Sequence, residues 1–249
     1  MTEVDVAAFA ALGWETRTVL GALRDARPVA PPRRWLGRLG DGGSCLVVQT
    51  GIGPRRAAEA ACAAPSAAAF LSIGCGGGLV PWLRTGDVVV ATEVIQLDAA
   101  CRPAGRMTVP CPAVDLGAEA APIASSPKVL ASTAEKTAAA GTGAVLVDME
   151  SWSLAAEAAR RGVPFTGVRV VLDPAGGAVP DFAGALDAAT GDLDPWRVAW
   201  TLLLRPWMLP AAIRLARQQG EAAARLEEAV AILLRGVARP GGSSGLTRS

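Results

Sequence analysis

The chain has 249 residues, is 51% hydrophobic and 19% charged, and carries 24 Lys and Arg against 23 Asp and Glu. A chain this long buries a core without disulfide or metal staples, and its near-zero net charge gives no drive toward nucleic acid. It contains no His and no Tyr, which excludes Ser-His-Asp hydrolysis, Cys-His proteolysis and His-ligated metal, so acid–base work falls to Asp, Glu, Lys, Cys or water.

In chain order, residues 4–9 form an apolar run that predicts a first strand, and residues 15–23 a helix. Residues 30–34, rich in Pro and Arg, read as a surface loop. A strand over 45–49 ends in Thr50-Gly51-Ile52-Gly53, and Pro54 at a first helical position opens a helix through residue 64. A buried strand over 68–73 closes in Gly74-Cys75-Gly76-Gly77-Gly78, and a Val-rich strand covers 87–92. Residues 99–127 hold several prolines and read as an extended loop or small β excursion. A strand over 144–147 runs into a helix over 149–161, with Trp152, Ala155, Ala156 and Ala159 on one face. A last buried strand covers 165–172.

The C-terminal third differs. Residues 196–209 are apolar and hold Trp196, Trp200 and Trp207, but Arg205, Pro206 and Pro210 break them as a membrane span. A helix over 211–234 follows, striped by Leu226, Ala229, Val230 and Leu233, then a Gly/Ser-rich tail over 240–249 read as flexible. Alternating strands and helices predict a three-layer α/β/α sandwich around a mixed, largely parallel sheet, in one domain over 1–239. No run of 18 uncharged apolar residues occurs, and the acidic N-terminus is no signal peptide. The five cysteines show no CxxC spacing and read as small thiols in a reducing cytosol.

Candidate chemistry sits where strands end. Gly53 with Arg55 and Arg56 makes a helix start suited to an anion, or a plain strand-to-helix turn. Gly74 to Gly78 departs from a dinucleotide fingerprint, because Leu79 stands where its last glycine belongs. Glu150, behind Asp148 as a candidate N-cap, is either a helix-start acid or a functional one, and Asp173 before Pro174 is either a turn-starter or functional. Glu15, Glu150 and Asp173 without any His suit N-glycosidic cleavage. One acid attends the leaving base, another the cationic sugar, and a third activates water. Cys75 has no basic neighbour in sequence and reads as packing.

Four segments together resemble the nucleoside phosphorylase/nucleosidase superfamily, over about residues 4–173. They are Val47-Val48-Gln49-Thr50-Gly51-Ile52-Gly53, Ser72 through Leu79 with Gly86-Asp87-Val88-Val89, Val147-Asp148-Met149-Glu150-Ser151, and Gly162-Val163-Pro164-Phe165 through Asp173. The resemblance implies the phosphorylase/hydrolase-like fold. It implies that Met149 and Glu150 attend the ribose, with Ser151 among the substrate-binding residues, that Asp173 delivers a proton to the purine, that Cys75, Gly76 and Gly77 form a backbone wall, and that Glu15 activates water. It implies no cofactor beyond phosphate as a candidate co-substrate. Three departures stand out. Leu172 replaces the usual Ser before the aspartate, Ser72 stands where the phosphorylase branch has Arg, and that branch's Gly-Asp-Pro-x-Arg loop is absent. Residues 196–217 resemble the hopanoid-associated phosphorylase branch. This implies adenosylhopane as substrate and adenine as product, with phosphorolysis or hydrolysis open, in a cytoplasmic homodimer touching the inner membrane face. A methylthioadenosine/adenosylhomocysteine or futalosine-type nucleosidase is the alternative, and a non-catalytic nucleoside-binding module the alternative of another class.

Overall fold

The computed structural model describes residues 3–176 and 209–236. Alternation along β1 (Val4–Ala10) sets up the layers: Ala7 and Phe9 enter one apolar cluster, Val6 and Ala8 another on the opposite face, because successive strand side chains point opposite ways. The helices α2 (Pro54–Cys62) and α4 (Ser151–Arg161) cover the first face, with Ala57, Ala61, Leu154 and Ala158 buried in it. The helices α1 (Gly13–Gly21) and α5 (Leu209–Gly236) cover the second. The stripe Leu226, Ala229, Val230 and Leu233 of α5 is buried as its spacing predicts. The expected α/β/α arrangement therefore holds. No described helix is long and apolar enough to cross a membrane.

Among the described residues the sheet has ten strands, adding β2 (Arg24–Val29), β3 (Arg34–Arg38), β4 (Ser44–Gln49), β5 (Ala67–Gly78), β6 (Val88–Leu97), β7 (Pro103–Thr108), β8 (Glu119–Ser125), β9 (Leu146–Asp148) and β10 (Phe165–Asp173). Strands β4, β1, β5 and β10 run parallel as neighbours, and β6, β8 and β9 form a second parallel block. Antiparallel pairings of β10 with β6 and of β5 with β9 join the blocks. Strands β5, β10, β6, β8 and β9 thus close into a ring. The helix α3 (Thr133–Ala140) packs on it, burying Ala139 with Leu79, Ile95 and Ala124. The other end of the sheet is the antiparallel run β4, β3, β2. The terminal strand β2 is solvent-facing, includes Pro28, and shifts register between Arg24 and Arg27.

Several elements differ from expectation. Strands β2 and β3 are rich in charge and carry no apolar alternation, so no strand signal is legible there. Residues 99–127 resolve into β7 and β8 with loops. The buried face of α4 is Ser151, Leu154, Ala155 and Ala158, not the face of Trp152, Ala156 and Ala159. In a helix so rich in Ala, the spacing of small residues does not choose a side; Trp152 instead lies against β7, where a side chain on Gly105 would meet its ring at 2.7 Å. The segments around 195–208 and 240–249 lie outside the described residues.

The run from Gly74 to Gly78 closes the strand as part of it, being the last five residues of β5. Its bare backbone lets neighbours cross closely. A Cβ on Gly76 would meet the Leu146 side chain at 2.5 Å and the Val147 carbonyl oxygen at 2.7 Å. Because part of that obstacle is backbone of the paired strand β9, Gly76→Ala is expected to cost about 1–3 kcal/mol through overpacking. That appears as a lower thermal midpoint; an unchanged midpoint would show that β9 gives way freely.

Candidate active site

A narrow cleft opens where β1 and β4 end beside β5 and β10, lined by Phe9, Glu15, Thr50, Ser72, Cys75, Glu150 and Arg169 among others. Glu15 is 2% exposed, in the first turn of α1. Its Oε2 accepts from the amides of Ala11 at 3.0 Å and Leu12 at 2.9 Å, and its Oε1 from the amide of Cys75 at 2.8 Å. A Cβ on Gly74 would stand 3.0 Å from Oε1, so glycine there admits the carboxylate against β5. Burial pushes the Glu15 pKa up, while the Leu12 and Cys75 amides and the charge of Arg169 restrain it.

Glu150 is the N-cap residue of α4, yet its side chain does not cap that helix. Its Oε1 accepts the Gly53 amide at 2.7 Å, at the start of α2. Gly53 has φ 104°, a conformation that favours glycine, and this aims its amide into the cleft. The amides starting α4 are served by Asp148, which accepts from the Ser151 amide at 3.2 Å. So Asp148 does act as the cap, from two residues before the N-cap position. Burial and then the Asp148 charge push the Glu150 pKa up to about 8, with the Gly53 amide and Arg169 opposing.

Arg169 is the residue that sequence reasoning missed. It stands alone among apolar residues of β10, and an isolated Arg in such a strand signals a buried ionic cluster. It is 2% exposed. Its Nε donates to Asp148 Oδ2 at 2.8 Å, its Nη1 to the carbonyls of Ser72 at 2.8 Å and Val168 at 2.9 Å, and its Nη2 to Ser72 Oγ at 2.6 Å and Ser151 Oγ at 2.9 Å. A guanidinium has five N–H donors, and all five are engaged. Burial works against its charge, but Asp148, Glu150 and Glu15 outweigh that and raise its pKa. Ser151, expected among the substrate-binding residues, is fully buried, and its hydroxyl donates to Asp148 Oδ2 at 2.5 Å. It braces the ion pair beneath the cleft.

The other expected residues fall in two groups. Cys75 lines the cleft, and burial followed by the Glu15 charge holds its thiol well above the usual range, so it is packing and no thiolate. Gly77 pairs with Asp173 across β5 and β10, and a Cβ there would lie 3.4 Å from both Asp173 oxygens. Gly74 and Gly77 are three residues apart, about 10 Å of strand, and Asp173, Met149, Gly76 and Gly77 do not line the cleft that holds Glu15 and Glu150. Asp173 accepts from Lys136 Nζ at 2.5 Å. Burial raises its pKa, and Lys136 opposes this. Lys136 was not anticipated, although Ser132 and Glu135 form a capping box whose spacing marks a helix start. Met149 is half-buried beside Glu150. Arg55 is not in the cleft: it is 80% exposed and pairs with Glu59 at 3.0 Å. Arg56 does not line the cleft either.

The raised Glu150 pKa has a measurable consequence. Between the ordinary value of 4.5 and about 8, the unfolded chain is ionised at this residue and the folded chain is not. The relative stabilisation is full below the lower value and is lost as pH rises through the upper one, on the order of a few kcal/mol. Glu15 acts in the same direction. Denaturant unfolding of the wild type is therefore expected to become easier from pH 5 to 8. Glu150→Gln, which keeps an acceptor for Gly53, flattens that slope while impairing turnover; a slope identical in the variant would assign it elsewhere.

The family model for the phosphorylase superfamily matches residues 5–193. The chain is 32% identical over 206 residues to a futalosine hydrolase of Streptomyces coelicolor, spanning 69% of this chain and 87% of that protein. Among solved structures, it matches an S-adenosylhomocysteine nucleosidase from Streptococcus pyogenes bound to 5-methylthiotubericidin, with TM-score 0.67 and 20% identity over 96% of this chain and 99% of that one. It also matches a methylthioadenosine/adenosylhomocysteine nucleosidase from Colwellia psychrerythraea bound to adenine, with TM-score 0.68 and 18% identity over 94% and 95%. A futalosine hydrolase of Helicobacter pylori matches with TM-score 0.61 and 16% identity over 91% and 97%. These structural likenesses speak to the fold.

Proposed function

We propose, from the premise that the chain belongs to the phosphorylase superfamily, that it cleaves the N-glycosidic bond of an adenine nucleoside bearing an extended 5′ substituent, with water as nucleophile. The observation that carries the choice of water is the full engagement of Arg169. Phosphate binding needs unspent donors. Here the five guanidinium N–H groups have acceptors, the Gly53 amide is held by Glu150, and Arg55 points to solvent. Asp148 pairs with that one cation and Glu15 and Glu150 line the cleft beside it, so among the described residues a phosphate dianion meets no unpaired cation there. A developing oxocarbenium is favoured by the same acids.

In this reading Glu15, held rigidly by three amides, takes the proton from water. Burial raises its pKa, which makes it a stronger base than an exposed carboxylate. Glu150 and Met149 hold the ribose, and Asp173 donates to the leaving base above the backbone wall of Gly76 and Gly77. No cofactor is needed.

For the 5′ substituent we read an apolar group, adenosylhopane in hopanoid biosynthesis. Its support is the resemblance of residues 196–217 to the hopanoid-associated branch. The start of α5 adds to it, exposing Leu209 at 49% and Ile213 at 47% beside the exposed Arg214 and Arg217. Such a mixed surface suits peripheral contact with a membrane face, and a homodimer belongs to the same reading. The identity with a futalosine hydrolase favours a second reading, a futalosine-type nucleosidase.

One assay tests both points: adenosylhopane, methylthioadenosine and futalosine are compared in phosphate-free and phosphate-containing buffer. The expected result is a free reducing sugar, formed at the same rate without phosphate, and fastest from the lipid-linked nucleoside. A sugar 1-phosphate, with a rate rising with phosphate, would overturn hydrolysis. Preference for futalosine would select the second reading.

A further inference from the structure

We infer that Lys136 is the positioning residue for the acid at the base end of the site: from α3 it fixes the Asp173 carboxylate over β5 and tunes the pH range in which that acid works. The inference rests on the reading of Asp173 as the acid serving the leaving base. The residue before Asp173 is Leu172, which packs on the apolar cluster under α1 and α5 and has no hydroxyl to offer. Support for the carboxylate comes instead from 37 residues away in sequence. Lys136 Nζ lies 2.5 Å from Asp173 Oδ2 and 3.3 Å from the carbonyl oxygen of Pro174, so the ammonium ties together the side chain and the backbone that follows it.

The placement is built rather than incidental. The Lys136 side chain is 5% exposed and that of Asp173 14%; a buried lysine is costly unless paired. The capping box of Ser132 and Glu135 fixes the start of α3. Glu135, the neighbouring acid, turns out to Lys128 at 2.5 Å, so it does not compete for Lys136. One turn on, Ala139 is buried in the ring cluster and anchors the same face. The other titratable groups of the site lie toward Gly74: Glu15 on α1, Cys75 on β5, Asp148 and Glu150 around the start of α4, and Arg169 on β10. Among the described residues, Lys136 is the charged side chain that acts on Asp173.

The test is the pH dependence of kcat and kcat/KM for an adenine nucleoside, in wild type, Lys136→Met, Lys136→Arg and Asp173→Asn. The limb of the profile that Asp173→Asn abolishes is expected to move up by about 1–3 pH units in Lys136→Met, as an opposite charge at contact distance is removed. Lys136→Arg, which keeps the charge, returns it toward the wild-type position. KM changes less than kcat. The double variant Asp173→Asn/Lys136→Met removes both charges of the pair together, so it does not leave the Asp173 carboxylate buried without its lysine and is available even where Lys136→Met alone does not fold. It is expected to be no less active than Asp173→Asn. A limb unmoved in Lys136→Met, or a double variant at least tenfold below Asp173→Asn, overturns the inference while leaving Asp173 in place. Asp173→Asn within a few-fold of wild type overturns the reading on which it rests.

Discussion

Glu15→Gln is expected to lower turnover per folded molecule by about 10²–10⁴-fold, the usual contribution of a general base. An amide in this place cannot reproduce the carboxylate. Glu15 accepts three backbone amides, two on one oxygen and one on the other, so the NH₂ of Gln must face at least one N–H. Stability should therefore fall as well, by about 1–3 kcal/mol, for a donor left unsatisfied. Activity must be normalised to the folded fraction, measured by near-ultraviolet circular dichroism. Added phosphate is expected to bring no rescue. A variant within a few-fold of wild type after that correction would remove Glu15 from water activation.

Asp173→Asn is expected to reduce kcat by a similar ~10²–10⁴-fold with a smaller change in KM, because Asn keeps the shape and loses the titrating proton. Its partner Lys136 stays buried beside a neutral amide, so a stability loss of about 1–3 kcal/mol accompanies the change. A substrate with a leaving group that departs without protonation, such as a nitrophenyl riboside, separates the two effects. It should be cleaved by the variant nearly as well as by the wild type. Equal loss on both substrates would mean that Asp173 holds the ligand and supplies no proton.

The layers were legible because β1, β5 and β10 are buried on both faces and read as continuous apolar runs, which need no subtle periodicity. The hairpin β2–β3 was not legible, since four arginines, Asp25 and Pro28 interrupt its few apolar residues, and pairing with the already buried β4 makes them strands. At the site, Glu15, Glu150 and Asp173 stood out as acids at strand ends. Their partners did not: Arg169 reaches Ser72 and Asp148 across the sheet, and Lys136 reaches Asp173 from another layer. Contacts between residues 97 or 37 apart leave no local pattern. The same holds for Gly53, whose amide looked available to a phosphate and is instead held by Glu150, 97 residues on. Ser151 looked like a ligand contact for a related reason; nothing in Asp-Met-Glu-Ser says which of its side chains turns inward.

The terminal strand β2 has one further effect. An unpaired strand edge is a template on which another chain can add. This one carries Arg24, Asp25 and Arg27 with Pro28, in an irregular register and facing solvent. Charge opposes a second copy, proline withholds a donor, and the irregularity bends the ladder away from a straight partner. Growth of the sheet from molecule to molecule is opposed at this end, so among the described strands the free edge left for a second chain is that of β7, which pairs with β6 alone.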